Sequence, residues 1–305
     1  MLALLLDSFS KMHLPPDCEV SFTIVENGAQ LASKETVFNF RTKVAPLSVN
    51  YETQPVMGIP FARNKVLDIA LREEGDFLTF VDDDETVDID WLCNLVEVQQ
   101  TRDLDIIGGP VRLTPVQSEQ ALCRMIHRGL ILRNTRIEHR ATRRIQANTD
   151  QNLPIITSNW MVRLDFVRKT GVRFDESLGF SGGSDVLFYN DSKKHGAKTG
   201  WAPKAIVYEE MPVERLTPAY QFSRTRDQGI ASFHRKYKDN NTKTCISSAC
   251  FILAKLASIP YLLVLALFNK GASLTQASRA AGYAYGRYLA LTGARSKHYE
   301  KIHGA

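Results

Sequence analysis

The stretch Phe77-Leu78-Thr79-Phe80-Val81-Asp82-Asp83-Asp84-Glu85 decides how this chain reads. Apolar and threonine positions over 77–81 predict a buried strand. The acidic residues that follow crowd the point where the strand surfaces. They repel one another and are costly to desolvate without a counter-charge. A hard divalent cation answers both problems. Mg²⁺ or Mn²⁺ prefers oxygen ligands, takes one or two protein carboxylates, and fills its other positions with water and substrate phosphate. Strand alternation puts Asp82 and Asp84 on one side and Asp83 on the other, so Asp82-x-Asp84 reads as a metal–diphosphate site. A solvated acidic turn ahead of a helix starting near Asp90-Trp91 accounts for the same residues, because carboxylates are favoured there.

Outward from this stretch, strands and helices alternate. Residues 2–12 read as an amphipathic helix ended by Pro15-Pro16. Glu19 to Val25 alternates and runs into Glu26-Asn27-Gly28, a strand and a turn. Val44 to Tyr51 is a second strand candidate, and Gly58-Ile59-Pro60 opens a helix over 61–72 that carries Arg63-Asn64. A helix over 90–100 and a short strand over 105–107 follow. This order predicts an α/β fold with a mixed, mainly parallel sheet flanked by helices. Ligands of such sheets bind beyond the carboxyl ends of strands, where Glu26 and Asp82 to Asp84 fall. Residues 114–153 read as a long basic excursion or surface helix. Ile155 to Arg163 reads as a strand, Gly179-Phe180-Ser181-Gly182-Gly183 as a flexible loop, Ser184-Asp185 as the opening of a helix, and Trp201 to Tyr208 as another strand.

At 305 residues the chain has room for one large α/β domain with an appendage, which we place at 1–235 and 236–305. The net charge of +5 is concentrated in Arg124 to Arg144 and in Arg215 to Lys243. Such patches suit phosphate-bearing substrates or an anionic membrane surface. They lack the interleaved aromatics that nucleic acid would call for. The 5 cysteines are scattered with no C-x-x-C pair, which argues for reduced thiols in a cytosolic setting and against a zinc site or disulfide framework. Met1 to Leu6 is apolar but lacks a basic leader, unlike a signal peptide. In the tail, Cys245 to Phe268 is nearly all apolar, and a bilayer span needs roughly 20 such residues. Lys255 and Pro260 weigh against a clean span, and Gln276 to Leu291 suits an interfacial helix. The expectation is a helical tail at the cytoplasmic face of the cell membrane, peripheral or with a single C-terminal span. A pair of core helices packed on the preceding domain is the alternative.

Four blocks together resemble the family 2 glycosyltransferases, whose fold is the Rossmann-like GT-A type, and most of all the bacterial exopolysaccharide and succinoglycan enzymes. They are Ile24-Val25-Glu26-Asn27-Gly28, Gly58-Ile59-Pro60-Phe61-Ala62-Arg63-Asn64, Phe80-Val81-Asp82-Asp83-Asp84-Glu85 with Trp91-Leu92 after it, and Gly182-Gly183-Ser184-Asp185-Val186-Leu187-Phe188. The last is similar to the family's G-G-E-D-x-x-F, with Ser184 standing where the family has Glu. The resemblance implies that Glu26 accepts from the nucleotide base, that Arg63 meets base or phosphate, and that Asp82 and Asp83 contact the nucleotide-sugar. It implies that Asp84 binds the metal with Glu209 nearby, and that Asp185 is the catalytic base. Arg224 and Arg226 resemble an arginine segment that could clamp the diphosphate.

The chemistry suits those residue types. Inverting transfer needs one carboxylate to take the acceptor's proton and a cation to stabilise the departing nucleoside diphosphate. The implied function is an inverting, metal-dependent transfer of a single sugar from a nucleotide-sugar, with a UDP-sugar as the expected donor. The acceptor would be a saccharide or lipid-linked saccharide in cell-surface polysaccharide synthesis. A full Q-x-x-R-W segment of processive synthases is absent from the sequence. The family's first strand also has no counterpart before residue 2, so an expectation of a missing strand stands here. It supports a second reading, a catalytically impaired transferase serving as a membrane-bound assembly partner. A sugar nucleotidyltransferase is a third; it would want a Gly-rich phosphate loop near the N-terminus.

Overall fold

The structure, a computed structural model, describes residues 1–153, 155, 157–179, 182–237 and 242–294. Phe180 and Ser181 of the expected flexible loop lie outside them, as do 295–305. By compactness the chain forms two units. The first comprises Met1–Arg112, Arg136–Gly179 and Gly183–Glu210, and the second Leu113–Thr135, Phe180–Gly182 and Met211–Ala305. The second unit thus begins before residue 236 and takes in a segment from the middle of the chain.

The first unit opens with α1 (Leu2–Lys11), β1 (Ser21–Glu26), α2 (Lys34–Val44), β2 (Ser48–Thr53) and α3 (Ile59–Arg72). It continues through β3 (Phe77–Phe80), β4 (Glu85–Val87), α4 (Trp91–Arg102), β5 (Ile106–Gly108) and β6 (Val111–Leu113). β1 and β2 pair in parallel, Ser21 opposite Ser48 through Glu26 opposite Thr53. Later strands are β7 (Trp160–Arg163), β8 (Thr199–Trp201) and β9 (Val207–Glu209), with α6 (Leu164–Thr170) and α7 (Ser184–Lys194) between β7 and β8. The described pairings are mixed, as the alternation predicts, with a larger antiparallel share than expected. β5 and β8 run parallel, while β7 lies antiparallel to both β3 and β5, and β4 antiparallel to β9.

Two large apolar cores and a small third one, of Ala141, Leu153 and Trp201, hold this unit. Phe22, Val37, Phe40, Trp91, Leu95, Ile107 and Val207 form one of the large cores. Leu67, Ile106, Trp160, Val162, Phe174 and Phe188 form the other, with the Trp160 and Phe188 rings edge-to-face at 5.0 Å. Trp160 is 2% exposed and packs in this core. Asn159 is wholly buried and acts as a joint. Its Oδ1 accepts from Trp91 Nε1, and its Nδ2 donates to the carbonyls of Pro110 and Ala205.

The second unit contains the start of α5 (Ala121–Gln146), then α8 (Pro218–Lys236), α9 (Thr242–Phe268) and α10 (Ser273–Leu291). α10 packs so closely on α8 that a Cβ at Gly282 or Gly286 would run into the backbone around Phe222 and Arg226. Cys123, Ile126, Leu130, Met211 and Leu216 form one core here, and Ile230, Phe233 and Ala290 another.

Candidate active site

β3 ends at Phe80, and the acidic residues form a turn closed by the Glu85 N–H donating to the Asp82 carbonyl at 3.2 Å. The turn breaks strand alternation. Asp82 and Asp83 are exposed, Asp84 is half-buried, and Glu85 turns inward with 4% exposure. The Glu85 carboxylate accepts from the Asp82 N–H at 3.0 Å and so ties the turn to itself. Glu209 stands opposite Glu85 on β9, and the Glu210 N–H donates to the Asp84 carbonyl. The structure therefore brings Glu209 to the acidic turn. Burial first, then the charges of Asp82, Glu209 and Asp84, push the Glu85 carboxyl up to about 10.

This donor set suits a hard cation by its chemistry, since carboxylates that hold a buried neighbour protonated lack positive charge. Among the described residues, no three His, Cys, Asp or Glu side chains are placed to hold a metal ion by themselves.

Glu26, at the end of β1, is engaged by its own loop. Its Oε1 accepts from Ser33 N–H at 3.0 Å and Ser33 Oγ at 2.7 Å, and its Oε2 accepts from Ala32 N–H. Burial alone would raise its pKa, but the bonds from Ser33, Tyr51 and Ala32 outweigh burial and hold it below the ordinary glutamate value. The next residue, Asn27, bonds the loop ahead of α3. Its Nδ2 donates to the Gln54 and Val56 carbonyls, and its Oδ1 accepts from Gly58 N–H at 2.7 Å. Gly58 has φ +134°, a conformation that only glycine adopts easily. This arrangement sets where α3 begins, and so where Arg63 sits in its first turns.

Arg63 joins the parts. Its Nη2 reaches Asp82 Oδ1 at 3.4 Å, its Nη1 donates to Ser184 Oγ at 3.3 Å, and its guanidinium lies 5.7 Å from the Phe174 ring centre. The neighbouring Asn64 faces inward. It donates to the Phe174 carbonyl and the Glu176 carboxylate and accepts from Phe174 N–H, so it fixes the segment leading to α7. α7 starts after Gly183 in a left-handed conformation, so Asp185 is the second helical residue and not the cap. Asp185 is half-buried and sits in a first turn, where the helix dipole favours a carboxylate.

Of the sequence-derived candidates, Arg63, Asp82, Asp84 and Glu209 thus share one neighbourhood in the first unit, and Arg63 links it to the residue before Asp185. Arg224 and Arg226 lie on α8 in the second unit, with Arg226 Nε bonded to Asp227 Oδ1 at 2.9 Å. Glu85, Ser184 and Asn64 are not among the candidate site residues of the sequence. A fourth carboxylate in the run was the available signal for Glu85, and the Arg63-Asn64 pair was the signal for Asn64.

The fold and the acidic turn define a GT-A-type glycosyltransferase. The chain belongs to glycosyl transferase family 2, whose profile matches residues 2–171. It is 31% identical over 219 residues to the succinoglycan biosynthesis protein ExoM of Rhizobium meliloti (strain 1021). That match takes in 72% of this chain and 66% of the relative, just under two thirds of its length. Among solved structures, S. aureus TarS 1–349 in complex with UDP has a similar fold, with a TM-score of 0.50 and 14% identity over 96% of this chain and 88% of that one. TarS 1–349 without UDP gives a TM-score of 0.50 with 17% identity at the same coverage.

Proposed function

We propose that this enzyme moves one sugar from a nucleotide-sugar, a UDP-sugar first, onto a saccharide or lipid-linked saccharide with inversion at the anomeric carbon. We assign it to exopolysaccharide synthesis, the process named by its Rhizobium relative. The observation that carries the reading is Arg63. One guanidinium bonds Asp82 of the acidic turn and Ser184 beside Asp185, so nucleotide-side and base-side residues are within one side chain's reach.

In this reading Arg63 meets the donor's base or phosphate, Asp82 and Asp83 contact the nucleotide-sugar, and Glu26 orders the loop under the base. Asp84 and Glu209 would hold Mg²⁺ or Mn²⁺, which supplies positive charge to the diphosphate as it leaves. Asp185 takes the proton from the acceptor hydroxyl as that oxygen bonds to the anomeric carbon. Replacing Asp185 by Asn keeps the shape and removes the base. Transfer from a radiolabelled UDP-sugar to membrane-extracted acceptor should then fall by about 10²–10⁴-fold, the usual worth of general-base catalysis. Undiminished transfer would refute the assignment.

We also read the enzyme as bound to the cytoplasmic membrane surface through α9. The most apolar 18 residues within Lys243–Phe268 have a mean hydropathy of 2.2, and Leu253, Leu263, Val264, Leu267 and Phe268 face outward. A spanning helix would carry its neighbours with it. α9 runs along α10, where Lys255 lies over the Tyr283 ring, and α10 runs along α8 with its Gln221, Arg224, Arg226 and Asp227. Placing those polar groups in hydrocarbon is costly, which favours a helix lying in the interface over one that crosses.

A further inference from the structure

The second unit brings one arginine from each of three helices to a common level: Arg133 of α5, Arg224 of α8 and Arg279 of α10. Their placement is built by buried contacts. Thr275 Oγ1 donates to the Ile126 carbonyl and Gln276 Nε2 to the Gly129 carbonyl, each at 3.0 Å. Gly129 leaves no room for a Cβ against Ala272 and Thr275. One turn further along, α10 presents Arg279 and α5 presents Arg133. On the other side, Arg279 Nη1 donates to Gln221 Oε1 at 3.1 Å. Gln221 is 1% exposed and is itself anchored on the Arg215 carbonyl, and Arg224 follows it by three positions on the same face of α8.

Arg279 differs from the ion-paired arginines Arg102 and Arg112 of the first unit. Arg102 and Arg112 grip carboxylates, Asp150 and Glu138. Arg279 bonds the Gln221 amide and the Tyr283 hydroxyl and no carboxylate among the bonds described, while Arg133 and Arg224 both repel it. Burial first, then Arg133 and Arg224, push its guanidinium down to about 10. Rigid helices that hold like charges together carry an electrostatic cost, which a bound anion removes. Planar guanidinium forks match phosphate oxygens. Arg133 is exposed and Arg224 partly so. Tyr283, one turn beyond Arg279, lies against Lys255 of the outward-facing apolar helix α9.

We propose that Arg133, Arg224 and Arg279 bind the diphosphate of a lipid whose chains lie in the bilayer beside α9, and so anchor a lipid-linked acceptor. This rests on the membrane-surface reading above. It assigns Arg224 to the acceptor's diphosphate and not the donor's.

The test is flotation of the full chain with phosphatidylcholine vesicles, plain, with geranylgeranyl diphosphate, or with phosphatidylglycerol at matched charge. The native protein should bind diphosphate vesicles about tenfold more tightly than phosphatidylglycerol vesicles, the worth of one good charge-assisted contact. R279Q and R133Q should lose that preference, R279K should keep part of it, and all should bind plain vesicles alike. R133Q, at an exposed site, guards against misfolding of R279Q. UDP affinity measured without vesicles should match in all of them. A diphosphate preference that survives both R279Q and R133Q would overturn the proposal. So would equal affinity for free inorganic diphosphate, or a loss of UDP affinity in the variants, which would return these arginines to the donor. Failure of the native protein to bind any vesicle would instead refute the membrane reading, and the lipid source with it.

Discussion

Glu85 of β4 stands directly opposite Glu209 of β9 in antiparallel register. Two carboxylates facing each other in a sheet are destabilising when both are charged. Here Glu85 is the buried partner, and its pKa of about 10 against an ordinary 4.5 means the folded chain holds its proton at neutral pH.

Between those two values the folded state binds a proton that the unfolded state has lost. Stability is therefore full below about 4.5 and falls as pH rises towards 10, by at most about 1.4 kcal/mol per pH unit. Glu85→Gln keeps an acceptor for the Asp82 N–H and carries no charge. Thermal unfolding at pH 9 should occur at a higher temperature in this variant than in the native enzyme, with the gap closing near pH 5. Parallel pH curves for the two proteins would contradict the assignment.

Arg63→Ala removes the contacts to Asp82 and Ser184. Because the Asp82 side chain is 48% exposed, the ion pair contributes little to stability. The unfolding temperature should barely move. UDP affinity should fall at least about tenfold, since a charged hydrogen bond to phosphate contributes about 1.5–3 kcal/mol. Calorimetric titration and a thermal scan of the same sample read both effects.

Asn64→Ala should act the other way, on stability. It leaves the Phe174 N–H and carbonyl without the partners shown here. A buried polar group left unsatisfied costs about 1–3 kcal/mol. Urea unfolding should show that loss with the slope unchanged.

Much of this site was legible in the sequence, because its signals are local. The strand before Asp82, the glycine ahead of α3 and the glycines ahead of α7 announce their elements within a few residues. Val37, Phe40 and Val44 are the buried positions of α2, so Val44 ends a helix and the second strand begins at Ser48 and not at Val44. Trp201 to Tyr208, expected as one strand, is the end of β8 and the start of β9, which belong to different sheets. Among the described residues of 155–163 only Trp160–Arg163 is strand, since Asn159 turns aside to meet Trp91, Pro110 and Ala205. The inward turn of Glu85 depends on β9, more than a hundred residues away in sequence, and alternation within the acidic run could not reveal it.

The membrane reading makes its own prediction. Leu267 and Phe268 are each 81% exposed, so Leu267→Asp with Phe268→Asp should not unfold the chain. The double variant should lose binding to phosphatidylcholine vesicles and keep UDP affinity. Unchanged flotation would mean that α9 is not the contact.

The most direct measurement is titration of the purified protein with UDP, with and without Mn²⁺, beside Asp84→Ala. The account predicts UDP binding that strengthens with Mn²⁺ and a metal effect that disappears in the variant. Binding that ignores both Mn²⁺ and the loss of Asp84, or no UDP binding at all, would contradict it.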